Sequence, residues 1–300
     1  MKICRRCVKK WEVEPMVKKV LVYPNAKRDV GYIYTRKVAE FFAARGVKVY
    51  ATEETAMQLQ GDLPVRVIRD CEKPEMDIAI VLGGDGSMIQ GAHFMLGTTV
   101  PIMGINLGTL GYLTEVEVQN LEDSLHQVLK NDYRVEQRMM LEAQVQVTGQ
   151  KGSQIFYAVN DLVLHRNLLD GILTVKTYIN GANLADFRAD GVIVSTPCGS
   201  TAYNFSAGGP IVNPVADNII LTPLSSHSAL DRSIILMGQD RLSFQIGATG
   251  KGLESVFSAD GVDHVSLGEG SWIHVKKSEY TFPLVRLLQR SFYEVLQMKL

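Results

Sequence analysis

Along the first hundred residues, short apolar runs alternate with stretches whose apolar positions recur at helical spacing. Residues 17–23 form an apolar run ending at Pro24-Asn25, a strand entering a turn. Residues 27–45 place Tyr34, Val38, Phe41 and Phe42 on one helical face and stop at Gly46. A strand is predicted at 47–51, a short helix at 53–60 and a brief strand at 65–68. The run Ile78, Ala79, Ile80, Val81, Leu82 is too short for an independent helix and is rich in β-branched residues, so it predicts a buried strand. It breaks at Gly83-Gly84-Asp85-Gly86-Ser87, after which Met88, Ile89, Ala92, Met95 and Leu96 return to helical spacing. Residues 100–105 are the next buried strand, ending at Asn106. This alternation predicts a parallel sheet with helices on its faces, with ligands at the carboxyl ends of its strands, where Asp85 and Asn106 fall.

An amphipathic helix over 121–130 leads into a different pattern. Residues 141–147 alternate apolar and polar positions, as a half-buried antiparallel strand does. Further strands are predicted at 156–165, 173–179, 191–196, 233–237, 241–246 and 262–266, with turn signals at Asn180-Gly181, Thr249-Gly250 and Glu269-Gly270. Residues 283–300 place Leu284, Leu287, Leu288, Phe292 and Leu296 on one face of an expected terminal helix. The expected organisation is a tail at 1–16, an α/β domain at 17–125 that binds the phosphate donor, and a β-rich domain at 126–282. The 283–300 helix docks back on the first domain.

Composition narrows the function. The chain has 300 residues, 46% of them apolar, enough for one large domain or two ordinary ones with real cores. A formal net charge of −1 gives no electrostatic reason for a nucleic-acid or anionic-membrane partner. No apolar run approaches a membrane span or a signal-peptide core, so the expected location is the cytoplasm. Cys4 and Cys7 sit in a basic leader without a second ligand pair, and are read as part of a loosely packed tail rather than a metal site. Cys71 and Cys198 complete no disulfide framework.

A strand feeding a glycine turn feeding a helix builds a phosphate site from close backbone N–H groups and a positive helix end. Asp85 would repel a phosphate there unless it accepts a proton from an attacking hydroxyl, holds a metal riding on the phosphates, or caps the helix. The turn is neither a Walker A loop nor a dinucleotide fingerprint. Asn160-Asp161 interrupts an apolar strand, and one of the two side chains must face inward and find a partner, either a ligand or its own backbone. Asp190 precedes the 191–196 strand, which ends in a turn rich in small and hydroxyl residues. Cys198 lies in this turn with no adjacent base and is read as a packed residue.

Together these stretches resemble the NAD kinase family. The matching residues are Gly83-Gly84-Asp85-Gly86-Ser87, residues 104–115, Arg138-Met139-Met140-Leu141, Asn160-Asp161 and Arg188-Ala189-Asp190-Gly191 with 196–203. Gly208-Gly209-Pro210-Ile211-Val212 and Ser258-Ala259-Asp260-Gly261 complete the set. The resemblance implies an α/β N-terminal domain with a parallel sheet, a β-rich, sandwich-like C-terminal domain, and a terminal helix returning to the first. It implies a homodimer or homotetramer that moves the γ-phosphoryl group of ATP, with Mg²⁺, to the adenosine ribose 2′-hydroxyl of NAD. It further implies that Asp85 meets that hydroxyl, while Gly83, Gly84, Gly86 and Ser87 lie against phosphates. By the same resemblance Asn160 meets adenine and Asp161 a ribose, Thr201, Ala202 and Tyr203 line the dinucleotide, and Asp190 sits near the nicotinamide end. Three positions depart from the family pattern: Asp161 for Glu, Cys198 for Thr or Ser, and Thr109 for a basic residue. A lipid or sphingoid-base kinase sharing the phosphate turn is one alternative. A non-catalytic NAD sensor is the other.

Overall fold

The protein is described from a computed structural model over residues 17–59, 61, 63–69, 75–167, 171–247, 255–287 and 290–299. Cys4, Cys7, the whole 1–16 tail, Cys71, the Thr249-Gly250 turn and Leu288 lie outside the described residues.

The first part alternates as its pattern predicts. The elements are β1 (Lys19–Pro24), α1 (Ile33–Ala43), β2 (Lys48–Ala51), α2 (Glu53–Leu59), β3 (Val65–Val67), β4 (Ile78–Gly83), α3 (Asp85–Phe94) and β5 (Ile102–Asn106). Strands β3, β2, β1, β4 and β5 are neighbours in that order and all parallel. Every residue of β4 is buried, as a central parallel strand covered on both faces requires. The helix expected from residue 27 begins only at Ile33. Asp29 takes its first turn instead, its buried carboxylate accepting from Tyr34 N–H (3.0 Å), Thr35 N–H (2.8 Å) and the Thr35 hydroxyl (2.6 Å).

Beyond β6 (Val116–Glu117) and α4 (Leu121–Leu129) the chain is almost all strand. There follow β7 (Arg134–Gln146), β8 (Gln154–Ala158), β9 (Asp161–Arg166), β10 (Leu173–Ile179), β11 (Ala182–Ala189), β12 (Gly191–Ser195) and the single-turn α5 (Tyr203–Ser206). The remainder is β13 (Asn218–Leu224), β14 (Ile234–Met237), β15 (Leu242–Ile246), β16 (Ser255–Ala259), β17 (Asp263–Leu267), β18 (Trp272–Arg286) and α6 (Phe292–Lys299). Strands β14-β13-β12-β9-β16-β17 form one antiparallel sheet. It packs on the sheet of β11, β10, β15, β18, β7 and β8 through a shared core that includes Leu162, Val192 and Phe257 on one side and Leu141, Phe187 and Phe244 on the other. Asn180 and Gly181, both at positive φ, form the two-residue turn of the β10–β11 hairpin, as that dipeptide signals.

Two expectations need correction. Residues 156–165 are not one strand: the chain breaks between β8 and β9 at Val159 and Asn160, where their backbone amides leave the ladder for a side-chain acceptor. Residues 283–300 are not one helix either, since β18 continues to Arg286 and only Phe292–Lys299 is helical. Leu284 mimics a helical stripe but pairs in parallel with Ile102 of β5, and Pro283, which lacks a ladder N–H, is nonetheless carried in the strand opposite Gln137. β18 therefore belongs to both halves. After a register shift between Lys277 and Thr281 it leaves the sandwich and joins the parallel sheet. The short α6 does return to the first half: the Lys299 ammonium donates to the Leu110 carbonyl (2.9 Å) and lies 4.4 Å from the Tyr112 ring.

Because Leu284 is fully buried in the shared strand, Leu284→Ala should cost about 2–5 kcal/mol in urea unfolding. Hydrogen exchange should then show protection falling in both β4–β5 and β10–β15. A loss confined to the parallel half would contradict the continuity of β18.

Candidate active site

Two cavities meet at one short turn. The larger, about 650 Å³, is lined by Asn160, Asp161, Asp190, Ala202 and Tyr203 among others. The smaller, about 330 Å³, is lined by the Gly84–Ser87 turn, Asn25 and Arg28. Asp260 and Gly261 line both.

That shared wall is the tip of the β16–β17 hairpin. Asp260 (φ +52°) and Gly261 (φ +66°) are its central residues, and the Val262 N–H returns to the Ala259 carbonyl at 2.9 Å. The turn pushes the Asp260 side chain inward until it is wholly buried. Its Oδ1 accepts from the Asn160 and Asp161 N–H groups (2.8 and 3.0 Å), and its Oδ2 from the Val159 N–H (2.8 Å). His93, on α3, places Nε2 2.8 Å from Oδ2, completing four donors on one carboxylate. A buried carboxylate is tolerable only with such partners. Here they tie the phosphate-turn helix to the strand break that presents Asn160 and Asp161.

Asp85 is held by a second set of amides. As the first residue of α3 it stands at the helix N-terminus, where a negative charge is favoured. Its Oδ2 accepts from Tyr112 N–H (2.8 Å) and its Oδ1 from Leu113 N–H (3.0 Å) and Thr114 N–H (3.2 Å). Gly111 makes this approach possible, for a Cβ there would stand 1.9 Å from Asp85 Oδ1. The helix-cap reading of Asp85 is thus too small: the side chain reaches back to a loop 27 residues away rather than to its own helix. Ser87 closes the turn, its hydroxyl accepting from Asn25 Nδ2 (3.0 Å) and the Gly84 N–H (3.4 Å).

Asp161 behaves differently. Burial pushes its pKa up to about 7, the nearby Asp260 charge adds to the rise, and the Tyr203 backbone N–H opposes it. The Asn160 side chain has no hydrogen-bond partner among the described residues and borders the same cavity, so a ligand can take it. Asp190 forms an ion pair with Arg166 (2.7 Å) on the cavity wall. Of the residues expected at the site, Gly84, Asp85, Gly86 and Ser87 gather at the small cavity. Asn160, Asp161, Asp190, Ala202 and Tyr203 gather at the large one. Gly83 is a buried end of β4 that borders neither. Thr201 opens instead on a third cavity of about 340 Å³ with Tyr112, Arg138, Cys198 and Tyr293. Cys198 is packed as expected, and burial raises its thiol to about 12, too high for a nucleophile at neutral pH.

Sequence reasoning missed three residues: His93, Arg28 and the role of Asp260. Asp260-Gly261 carried a usable signal, since Asp-Gly between alternating apolar residues marks a tight hairpin. His93 and Arg28 carried none that a local window could show.

Comparison with known proteins places nearly the whole chain among known sequences and folds. Profiles of the ATP-NAD kinase N-terminal and C-terminal domains match residues 20–133 and 159–287. The NAD kinase of Lachnoclostridium phytofermentans is 39% identical over 286 residues, covering 94% of this chain and 99% of that protein. The fold is similar to yeast NADH kinase complexed with NADH, with a TM-score of 0.80 at 24% identity over 94% of this chain and 86% of the other. It is also similar to an NAD kinase from Archaeoglobus fulgidus in complex with ATP, with a TM-score of 0.70 at 23% identity over 94% and 98%.

The raised Asp161 value sets a pH dependence. A carboxyl held above its ordinary range contributes stability that is complete below that range and is lost as the pH rises through 7. Asp161→Asn should therefore be more stable than the parent at pH 8, by on the order of 2–4 kcal/mol, and melt at a higher temperature. The advantage should shrink towards pH 5. Calorimetric melting at the two pH values checks it, and equal differences at both would refute the buried acid.

Proposed function

The chain belongs to the NAD kinase family and is an ATP-dependent kinase of NAD, and within that activity we propose which residues do what. The observation that carries the assignment is the shared wall: the Asp260-Gly261 turn separates a glycine-turn cavity from a larger cavity lined by Asn160 and Asp161. A donor phosphate in the first and a ribose hydroxyl in the second come together over that turn. The alternatives of a lipid kinase or a silent NAD sensor have no support among the relatives.

In the proposed arrangement Asn160 meets the adenine, Asp161 a ribose, and Ala202 and Tyr203 the dinucleotide. Asp190 stands towards its nicotinamide end. The amides of Gly84, Gly86 and Ser87 face the donor's phosphates, and Asp85 orients the 2′-hydroxyl and takes its proton late. Phosphoryl transfer has a loose transition state, so alignment and charge neutralisation outweigh the strength of the base. Mg²⁺ is assigned to the donor complex, Mg·ATP, where it would share the phosphate charge with the protein. A homodimer or homotetramer in the cytoplasm completes the proposal. Support for self-association comes from β14, an edge strand whose Ile235 and Met237 are both exposed and share one face.

One observation favours a second reading of the base. Both Asp85 oxygens are occupied by loop amides, whereas Asp161 titrates near neutrality and faces the acceptor cavity. The experiment is NADP formation from NAD and Mg·ATP at saturating substrates, with calorimetric NAD affinity on the same preparations. If Asp85 is the acceptor, Asp85→Asn lowers kcat by about 10²–10⁴-fold with NAD binding retained. Asp161→Asn then chiefly raises the KM for NAD. The reverse pattern assigns the proton to Asp161.

A further inference from the structure

The small cavity beside Asp85 has a charge problem. A triphosphate brought there meets two carboxylates, Asp85 and Asp260, whose oxygens are already taken by protein donors. Among the described lining residues the cavity holds one cation, Arg28. Its guanidinium is exposed and has no hydrogen-bond or ion-pair partner among the described residues.

The backbone around Arg28 is held on both sides. Asn25 is tied to β4 through its N–H to the Leu82 carbonyl (2.8 Å) and to the phosphate turn through Ser87. The Arg28 N–H returns to the Asn25 carbonyl (2.9 Å), and the next residue, Asp29, is the buried cap of α1. The side chain then crosses two glycines at the ends of neighbouring parallel strands. A Cβ on Gly84 would stand 3.7 Å from its Cζ and Nη1, and one on Gly108 would stand 2.6 Å from Nη1. A fixed backbone carrying a free guanidinium over a glycine turn is suited to an anion, and the planar fork suits phosphate oxygens.

We propose that Arg28 is the donor-side catalytic cation, gripping the β- and γ-phosphates of the nucleoside triphosphate against the Gly84–Ser87 turn. The proposal rests on the kinase reading and deepens it. As the bond from the β–γ bridging oxygen to the γ-phosphorus breaks, charge gathers on that oxygen, while the new bond forms from the ribose oxygen and its proton leaves to a carboxylate. Arg28 stays protonated and neutralises the leaving diphosphate. The rest of the donor has room to follow. A cavity of about 700 Å³ at the carboxyl ends of β1 to β3 shares Asn25 and Gln90 with the phosphate cavity, and Tyr23, Tyr32 and Phe94 line it. That size and lining fit a nucleoside.

The test compares Arg28→Ala and Arg28→Lys with the parent in steady-state kinetics, in binding of a fluorescent ATP analogue, and in melting temperature. Arg28→Ala should lose about 100-fold or more in kcat/KM for ATP and bind the analogue more weakly. Its KM for NAD and its melting temperature should stay near the parent's. Added guanidinium ion should restore part of the rate to Arg28→Ala, and Arg28→Lys should recover binding better than turnover. Parent-like kcat/KM for ATP in Arg28→Ala would overturn the proposal. So would equal losses for both substrates with a lowered melting temperature, which would make Arg28 structural. If the parent itself forms no NADP, the kinase reading fails, and the analogue's affinity for parent and variant still decides the phosphate contact.

Discussion

The Asp260 carboxylate is where the two halves of the molecule are made to agree. It is wholly buried, and such a charge persists only if every lone pair is met. Three of its donors are backbone amides of 159–161 and the fourth is His93 on the helix that follows the phosphate turn. The strand break, the hairpin tip and α3 cannot move separately without orphaning one of these groups. An unmet buried donor costs about 1–3 kcal/mol. The distance between donor and acceptor cavities is thereby set by four short hydrogen bonds rather than by loop packing.

The site also sorts its acids by environment. Asp85 and Asp260 each accept several N–H donors on both carboxylate oxygens. Asp161, at the start of β9 with its N–H donating to Asp260, is governed chiefly by burial and then by that neighbouring negative charge, against one Tyr203 N–H, and its pKa rises to about 7. An acid that is neutral part of the time can donate to a sugar hydroxyl as well as accept from it. On the donor side the positive counterpart is Arg28, kept unpaired by the same loop that Asp29 anchors.

Much of this was legible in the chain, for local reasons. The passage from Ile78 to Leu96 changes from β-branched run to glycine turn to helical spacing within a few residues, and such abrupt changes survive any fold. The Asn160-Asp161 pair does turn a polar group inward, the Asp161 side chain being buried, although the strand itself breaks there. β18 was not legible. Its Lys276-Lys277-Ser278 segment and Pro283 look unlike a strand, and Leu284 and Leu287 fall on a helical stripe. Only the pairing with β5 and β7, more than a hundred residues away, decides its conformation. β11 and β13 escaped the pattern for opposite reasons: β11 is mostly exposed, and β13 is a buried apolar run interrupted by Pro223. Arg28 and His93 are single residues on a loop and a helix, carried to the site by the parallel topology and marked by nothing in their own neighbourhoods.

The central claim is spatial: one ribose hydroxyl of the acceptor reaches the Asp85 turn across the Asp260-Gly261 wall. A crystal structure with NADP bound tests it most directly. The account predicts the adenine against Asn160 and the 2′-phosphate within about 3 Å of the Gly84–Gly86 turn and Asp85. A 2′-phosphate directed instead towards the Arg166–Asp190 pair, away from Asp85, would contradict it.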